Sequence, residues 1–463
     1  MAIKQLLGKW ATAFFSFCER HIDAVVLFRI AFGIMMALAI VRFWLNGWID
    51  QLYVKPSFFF TYYGFEWIKP LGQVGMYTVY ALLFVGAIFI AAGFLYRLAS
   101  ILFFVLFTYV ELIDKATYLN HYYFISLVAL LLCFIPAHKK FSLDVKFGIT
   151  KEVQHFPRWA VLSLQLQMAI VYFFAGIAKI NHDWLVEALP LKIWLPAKNN
   201  LPFIGTWLSE VWVAYVFSWC GMLFDTLIPF LLFWNRTKYY AYVVVIIFHT
   251  LTAILFPAIG MFPFIMMVCA TVFIVPDKVV RNKHDAPFSL RSWLGFAVSP
   301  IGKLGTAIFL FFFLLQVLLP FRYTLYPENL FWHEQGFRFS WRVMLMEKAG
   351  MATFYVKGKA SQTGAVSMVE IKNTNYLTPL QEKQMSTQPD MILQFAHHLA
   401  QVYKLQGWES TEVYVESYVS LNGKGSCMFI DPNVNLASLH ESFARKHWIL
   451  PYKKVPYKLA EAL

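Results

Sequence analysis

Apolar residues run along this chain in long unbroken windows, not in the short alternation of half-buried elements. Windows approaching twenty residues fall near 24–45, 74–95, 98–113, 121–137, 158–180, 211–234, 239–256, 259–276 and 304–320. A run of about twenty such residues is what a helix needs to cross about 30 Å of hydrocarbon. The pattern predicts an α-helical multi-pass membrane protein with eight or nine transmembrane helices: the third and fourth windows are short, and the seventh and eighth are parted only by Phe256-Pro257. From Arg322 the pattern becomes that of a soluble unit. Residues 353–356 and 366–371 predict a hairpin with Gly364 at its turn, 389–403 an amphipathic helix, and 412–421 with 426–430 a second hairpin around Gly423 and Gly425. The expected organisation is a transmembrane domain over 1–321 and a small C-terminal α+β domain over 322–463, packed directly together because no low-complexity linker separates them.

Composition agrees. With 59% hydrophobic, 19% aromatic and 14% charged residues, a disordered chain, a collagen-like repeat and a compact cytosolic enzyme are excluded, and the lipid bilayer is the principal surrounding. The net charge of +13 is spread over short loops with no basic stripe or recognition motif, so no nucleic-acid partner is expected. With a cytoplasmic N-terminus and nine crossings, about sixteen Lys and Arg fall on the cytoplasmic side and about seven on the other. The richest loops, 139–158 and 278–303, are both cytoplasmic in this count, and the C-terminal domain emerges outside the cytoplasm. The five cysteines, Cys18, Cys133, Cys220, Cys269 and Cys427, form neither a disulfide framework nor a CxxC site. Lys4, Lys9 and Arg20 are joined by Glu19 with no small-residue cleavage site after the first apolar stretch, which is therefore expected to remain as a membrane helix.

Ionisable side chains inside such windows cost about 2.5–3.5 kcal/mol each, so each needs a reason. Those to explain are Arg29, Asp114, Lys115, His121, Lys179, Asp183, Asp225 and His249. Mutual pairing or snorkelling to the interface is the simplest account of any one of them. Residues 114–123 (DKATYLNHYY) interrupt two apolar runs, which is tolerated only where backbone lines a cavity or is covered by protein. Asn120 there is either a helix cap or a functional residue. Residues 171–184 (VYFFAGIAKINHDW) end a span with Lys179 after small and apolar residues. Desolvation would leave a free amine able to act as a base; interface snorkelling, with Asp183 and Trp184 as belt residues, is the alternative. The run 260–267 (GMFPFIMM) reads as packing. No metal is expected: His121, His182 and His249 lie on three segments without an HxxxH or Glu-His pairing, and the adjacent His397 and His398 point to different sides of one helix.

Taken in order, these segments resemble the vitamin K-dependent γ-glutamyl carboxylase family, whose membrane region is often called the HTTM domain. The resemblance is carried by Phe28-Arg29-Ile30-Ala31-Phe32-Gly33, by Asp114-Lys115 with Asn120-His121, and by Val171-Tyr172-Phe173 through Lys179 to Asp183-Trp184. It continues in Phe248-His249 with Ile259-Gly260-Met261-Phe262, in Phe339-Ser340-Trp341 before Met344, and in Val419-Ser420-Leu421-Asn422 before Asp431-Pro432. It implies a reaction in which vitamin K hydroquinone (phylloquinol or menaquinol) is deprotonated and attacked by O2. The basic oxygenated intermediate removes a γ-proton from a glutamyl side chain, CO2 adds, and γ-carboxyglutamate and vitamin K epoxide result. Lys179 matches the family's initiating base and His121 a histidine near the reacting glutamate. Asn120 and Tyr123 match its neighbours and, with His249, the substrate side. Phe262, Trp341 and Met344, again with Asn120, match the quinone surroundings. The implied partner is a glutamate-containing peptide or protein entering from the extracytoplasmic face.

The departures are also informative. Ala178 stands where animal members have a second lysine, the stapling cysteines of the animal enzyme are missing, and the chain stops soon after Tyr452, without the long C-terminal extension of those relatives. The compact form suggests a bacterial member in the inner membrane. Two other readings remain open at this point: a quinol epoxidase that no longer carboxylates, and a non-enzymatic HTTM protein of an immunity or peptide-binding kind. A transporter lacks support, since no inverted repeat or interrupted helix pair is visible.

Overall fold

The computed structural model describes residues 23–274, 300–360 and 365–453. Each apolar window holds a helix: α1 Ala24–Leu45, α2 Gly72–Ala92, α3 Tyr96–Ile113, α4 Asn120–Phe134, α5 Arg158–Ala178, α6 Val211–Phe233, α7 Lys238–Leu255, α8 Phe262–Ala270 and α9 Pro300–Leu318. Seven helices among the described residues are long and apolar enough to cross a membrane, while Asn120–Phe134 and Phe262–Phe273 are shorter apolar helices. At 1.5 Å per residue α4 spans about 22 Å, short of the hydrocarbon thickness. The missing turns are the irregular stretch before it, and Asp114, Lys115 and Ala116 are all buried there, at 1%, 5% and 5% exposure. Protein covers that backbone, which is the condition for breaking a helix at this depth.

Small residues let the helices touch, as packing in lipid requires. A Cβ on Gly33 of α1 would lie 2.6 Å from Ala87 O and Ala91 N of α2, and one on Gly176 of α5 would lie 2.4 Å from Thr226 Oγ1 of α6. The buried Arg29 does not snorkel: its guanidinium donates to Ala137 O at 2.9 Å and Phe141 O at 2.6 Å, tying α1 to the loop after α4.

The C-terminal unit is a four-stranded antiparallel sheet in the order β2-β1-β3-β4, formed by β1 Lys348–Ala360, β2 Val366–Ile371, β3 Trp408–Leu421 and β4 Cys427–Met428. Both expected hairpins are present. Gly364 lies outside the described residues, as do Cys18, the N-terminal Lys4, Lys9, Glu19 and Arg20, and most of the 278–303 loop. Asn422 and Gly423 make the second turn with φ of 54° and 69°. The central joint is β1 on β3, in one register from Lys348 against Leu421 to Lys357 against Glu412, then shifted at an irregularity between Lys357 and Lys359 before Ala360 meets Trp408. Two helices, α10 Pro379–Met385 and α11 Pro389–Leu405, complete the unit. Met391, Ile392, Phe395 and Leu399 of α11 are fully buried, a helical stripe set on the sheet face that carries Phe354, Val356, Val413 and Val415.

This unit shares its core with the membrane part, since Phe60 and Ala116 belong to the same buried cluster. Gln381 Nε2 donates to Asp114 Oδ2 at 2.8 Å, Asp390 accepts from Lys115 at 2.8 Å and from Arg338 at 2.7 Å, and Asp183 accepts from Asn422 and Lys424. The loops after α1, α3, α5 and α7 all lie on the side of the C-terminal domain.

Candidate active site

Two hollows meet where α4, α5, α6 and α8 approach the C-terminal domain. The first is an apolar cavity of about 290 Å³ lined by α5, α6, α7 and α8, with Val343 and Met344 closing it from the C-terminal domain. That volume sits at the lower bound of the roughly 300–1,000 Å³ of small-molecule sites. Val216 and Cys220 on its rim are exposed on the outward face of α6, so the cavity opens sideways toward lipid.

Its polar groups are few. Lys179 is the first residue past α5, its N–H bonded to Gly176 O at 3.0 Å. The residue is 6% exposed and its side chain turns inward, donating to Asp225 Oδ2 at 2.6 Å and to Ala175 O at 3.2 Å, with the nitrogen 5.5 Å from the Trp184 ring. The close α5–α6 approach at Gly176 and Thr226 makes this reach possible, because Asp225 is Thr226's neighbour. His249 of α7 bonds through Nε2 to Tyr172 Oη at 2.8 Å, and its Nδ1 is buried without a partner. Apart from the lysine–aspartate pair, the Tyr172–His249 pair, Cys220 and Thr252, the cavity is lined almost entirely by apolar side chains, the composition of a small-molecule site with a few polar groups.

The second hollow is a wider groove, about 660 Å³, between the loops and the C-terminal domain, lined by Asn120, His121, Trp194, Lys198, Met346 and Glu347 among others. Phe256, Phe262, Val343 and Met344 line both hollows and form the wall between them. The Phe262 ring lies between two histidines, 5.9 Å from His121 and 5.8 Å from His249. Phe339, Trp341 and Met344 all hold φ between 52° and 60°, a region that non-glycine residues enter at a cost, and such strain gathers at functional sites.

A family model of the HTTM domain matches residues 17–278, and one described as "Vitamin K-dependent gamma-carboxylase, lumenal domain" matches residues 301–455. The chain belongs to the vitamin K-dependent γ-glutamyl carboxylase family. No solved structure matches it.

For a member of this family the candidates divide clearly. Lys179 and His249 line the apolar cavity, Asn120 and His121 line the groove, and Phe262 and Met344 belong to both. Trp341 and Tyr123 line neither; they stack on each other at 4.9 Å behind the wall. The two alternatives weighed for polar residues are corrected. Asn120 does not cap α4, because its Nδ2 donates to Arg342 O at 2.8 Å and its Oδ1 accepts from Tyr118 Oη, so it pins the strained segment to the membrane part. Lys179 does not snorkel, and Asp183 and Trp184 are no interfacial belt: Trp184 is buried with Nε1 donating to Ser218 O at 2.9 Å, and Asp183 holds Lys424.

One group of possible metal ligands occurs among the described residues, His182, Asp183 and Glu187. Lys424 already bridges its two carboxylates at 2.9 and 2.8 Å. Burial works against that ammonium, but Glu187 and Asp183 hold its proton above the ordinary lysine range. A lysine in that position competes with a cation. The sequence reading missed the pairing of Asp225 with Lys179. Its signal was an unexplained acid in a 23-residue apolar helix, and only the fold supplies its partner.

Proposed function

We propose that this protein couples the epoxidation of vitamin K hydroquinone, taken from the bilayer as phylloquinol or menaquinol, to the carboxylation of glutamyl side chains. One observation carries the reading: an apolar cavity containing Lys179 and a groove containing His121 share a wall made by Phe256, Phe262, Val343 and Met344. When bound, the hydroquinone with O2 supplies the oxidation that makes a base strong enough for a carbon next to a carboxylate, and CO2 is the group added. Lys179, with Asp225, takes the first hydroxyl proton; His249 Nδ1 meets a ring oxygen. This moves His249 from the glutamyl side, where the resemblance grouped it, to the quinol side. His121 and Asn120 border the glutamyl side chain, and Tyr123 and Trp341 hold the wall from behind. The apolar lining keeps water from quenching a strong base. The charge count and the lumenal character of the matching family domain support a C-terminal domain outside the cytoplasm, with a bacterial inner membrane as the setting.

One observation favours a narrower reading, epoxidation without carboxylation. Glu347, bonded to Trp194 Nε1, lies in the groove where a glutamyl carboxylate would enter, and like charges repel unless Lys198 offsets them. The experiment is direct. Purified protein in lipid nanodiscs receives vitamin K hydroquinone, O2, labelled bicarbonate and a glutamyl peptide. Epoxide and labelled γ-carboxyglutamate are expected together, and Lys179→Ala should lose both. Epoxide without label selects the narrower reading; the absence of both products overturns the proposal.

A further inference from the structure

We propose that the seam between the C-terminal domain and the end of the last span holds the phosphate of an anionic phospholipid. The inference does not depend on the quinol reading. It concerns a third hollow, of about 320 Å³, which shares no lining residue with the cavity of Lys179 or the groove of His121. Its lining carries four cations, Lys115, Arg322, Arg338 and Lys446, and three carboxylates, Asp390, Glu334 and Glu441. The carboxylates are already committed. Glu334 holds Lys348 at 2.7 Å, Glu441 holds Lys446 at 2.8 Å, and Asp390 is shared between Lys115 at 2.8 Å and Arg338 at 2.7 Å. Arg322 has no carboxylate within ion-pair reach among the described residues; it donates to Arg338 O and lies 5.7 Å from the Phe339 ring. The hollow is therefore in excess of positive charge, by one cation at Asp390 and one at Arg322.

A phosphate suits that excess, because a guanidinium presents a fork of N–H donors that matches two phosphate oxygens, and Arg322 gives up only part of its fork to Arg338 O. The surroundings select a phosphate carried by a lipid. Arg322 stands in the last turn of the apolar stretch Gly302–Leu325, where Phe311, Leu314, Leu318, Phe321 and Leu325 are all exposed. Their spacing of three or four makes a stripe along which an acyl chain lies, ending beside the hollow. Tyr63, Phe65 and Phe443 of the lining are exposed as well, and Tyr63 meets Phe443 edge to face at 5.1 Å across the seam. With the exposed Trp67 of the same loop, they form the aromatic belt that marks the headgroup level, and cations at that level attract anionic lipid.

Occupancy has a consequence for the groove. Phe339 lines the hollow, and the rings of Tyr118 and Tyr123, which flank Asn120 and His121 in the chain, pack on it at 5.1 and 4.8 Å. A headgroup bound there steadies both the irregular stretch before α4 and the strained 339–344 segment.

The full chain, stripped of lipid in detergent, is titrated with phosphatidylglycerol or phosphatidylcholine at fixed pH and salt and followed by native mass spectrometry. Phosphatidylglycerol is expected to bind about tenfold or more tightly than phosphatidylcholine, a comparison that needs no variant. Arg322→Gln should remove that preference, since one hydrogen bond between charged groups is worth about tenfold or more in affinity. Arg445→Gln, which removes a surface cation paired with Glu328, should leave it unchanged. Should Arg322→Gln not fold, Arg322→Lys, which keeps the charge and loses the fork, is scored in its place with a smaller loss. Equal binding of the two lipids, or an Arg322 variant with the natural preference, overturns the assignment. Inorganic phosphate that raises the melting temperature as much as phosphatidylglycerol at equal concentration makes this a free-anion site and overturns the lipid. A glutamyl peptide that displaces bound phosphatidylglycerol gives the hollow to acidic side chains and overturns it too.

Discussion

At the scale of single residues, the dominant fact is that a lysine and an aspartate are buried together where either alone would be ruinous. Both are less than a tenth exposed, and deleting one partner of such a pair leaves a bare charge at a cost of about 3–5 kcal/mol. Lys179→Ala is therefore expected to lower the melting temperature in detergent as well as to end activity. The combination Lys179→Met with Asp225→Leu should recover most of that stability while remaining inactive, because it removes both charges and fills the volume. Equal melting of the single variant and the natural protein would show that the pair is not buried as described. The sequence made half of this legible: each residue stood out as an expensive charge in an apolar window. Nothing in the spacing of positions 179 and 225 joins them, since one follows α5 and the other lies on α6, and the packing of those two helices, closest at Gly176 and Thr226, brings them within reach.

At the scale of elements, that contact is itself open to test. A Cβ at Gly176 would press on backbone as well as side chain, 2.6 Å from Thr226 N. Gly176→Ala should push α5 from α6 and lengthen the Lys179–Asp225 bond, lowering turnover much more than expression or folding; unchanged turnover would show that the helices yield without cost. The seam between the C-terminal domain and the membrane part carries an acid whose ionisation supports the joint. Burial alone would raise Asp390, but Arg338 and Lys115 hold it far below the usual carboxylate range, so its contribution is present above about pH 4 and lost as pH falls below it. Melting temperature followed against pH should fall on the acid side in the natural protein, and that fall should flatten in Asp390→Asn. The helices and hairpins around this seam were plain from hydrophobic period, because each is a local pattern. The β1–β3 joint and the salt links were not, because they pair positions from about 50 to about 275 apart in the chain.

At the scale of the whole molecule, the protein has two doors and one wall. The apolar cavity reaches the exposed apolar face of α6, and the groove lies between the loops and the C-terminal domain. A reaction that joins a lipid-borne reductant to a polar side chain needs both entrances and a barrier between them, since water reaching the first would destroy the base made there. The family resemblance pointed to the residues of this barrier, but not to the barrier. Phe262 and Met344 matched pocket positions, and their joint membership in both hollows appears only in three dimensions. Phe262 is the most exposed to test because its ring separates His121 from His249. Phe262→Ala removes that ring and joins the hollows. Quinol would still enter from lipid and meet Lys179, so epoxide should form at a rate within several-fold of the natural protein, while water intercepts the base before a glutamyl carbon does. The ratio of labelled γ-carboxyglutamate to epoxide should therefore fall at least tenfold, and Phe262→Leu, which keeps most of the volume, should fall less. A ratio unchanged in Phe262→Ala would mean that proton transfer does not pass this wall, and the shared boundary would lose its mechanistic meaning.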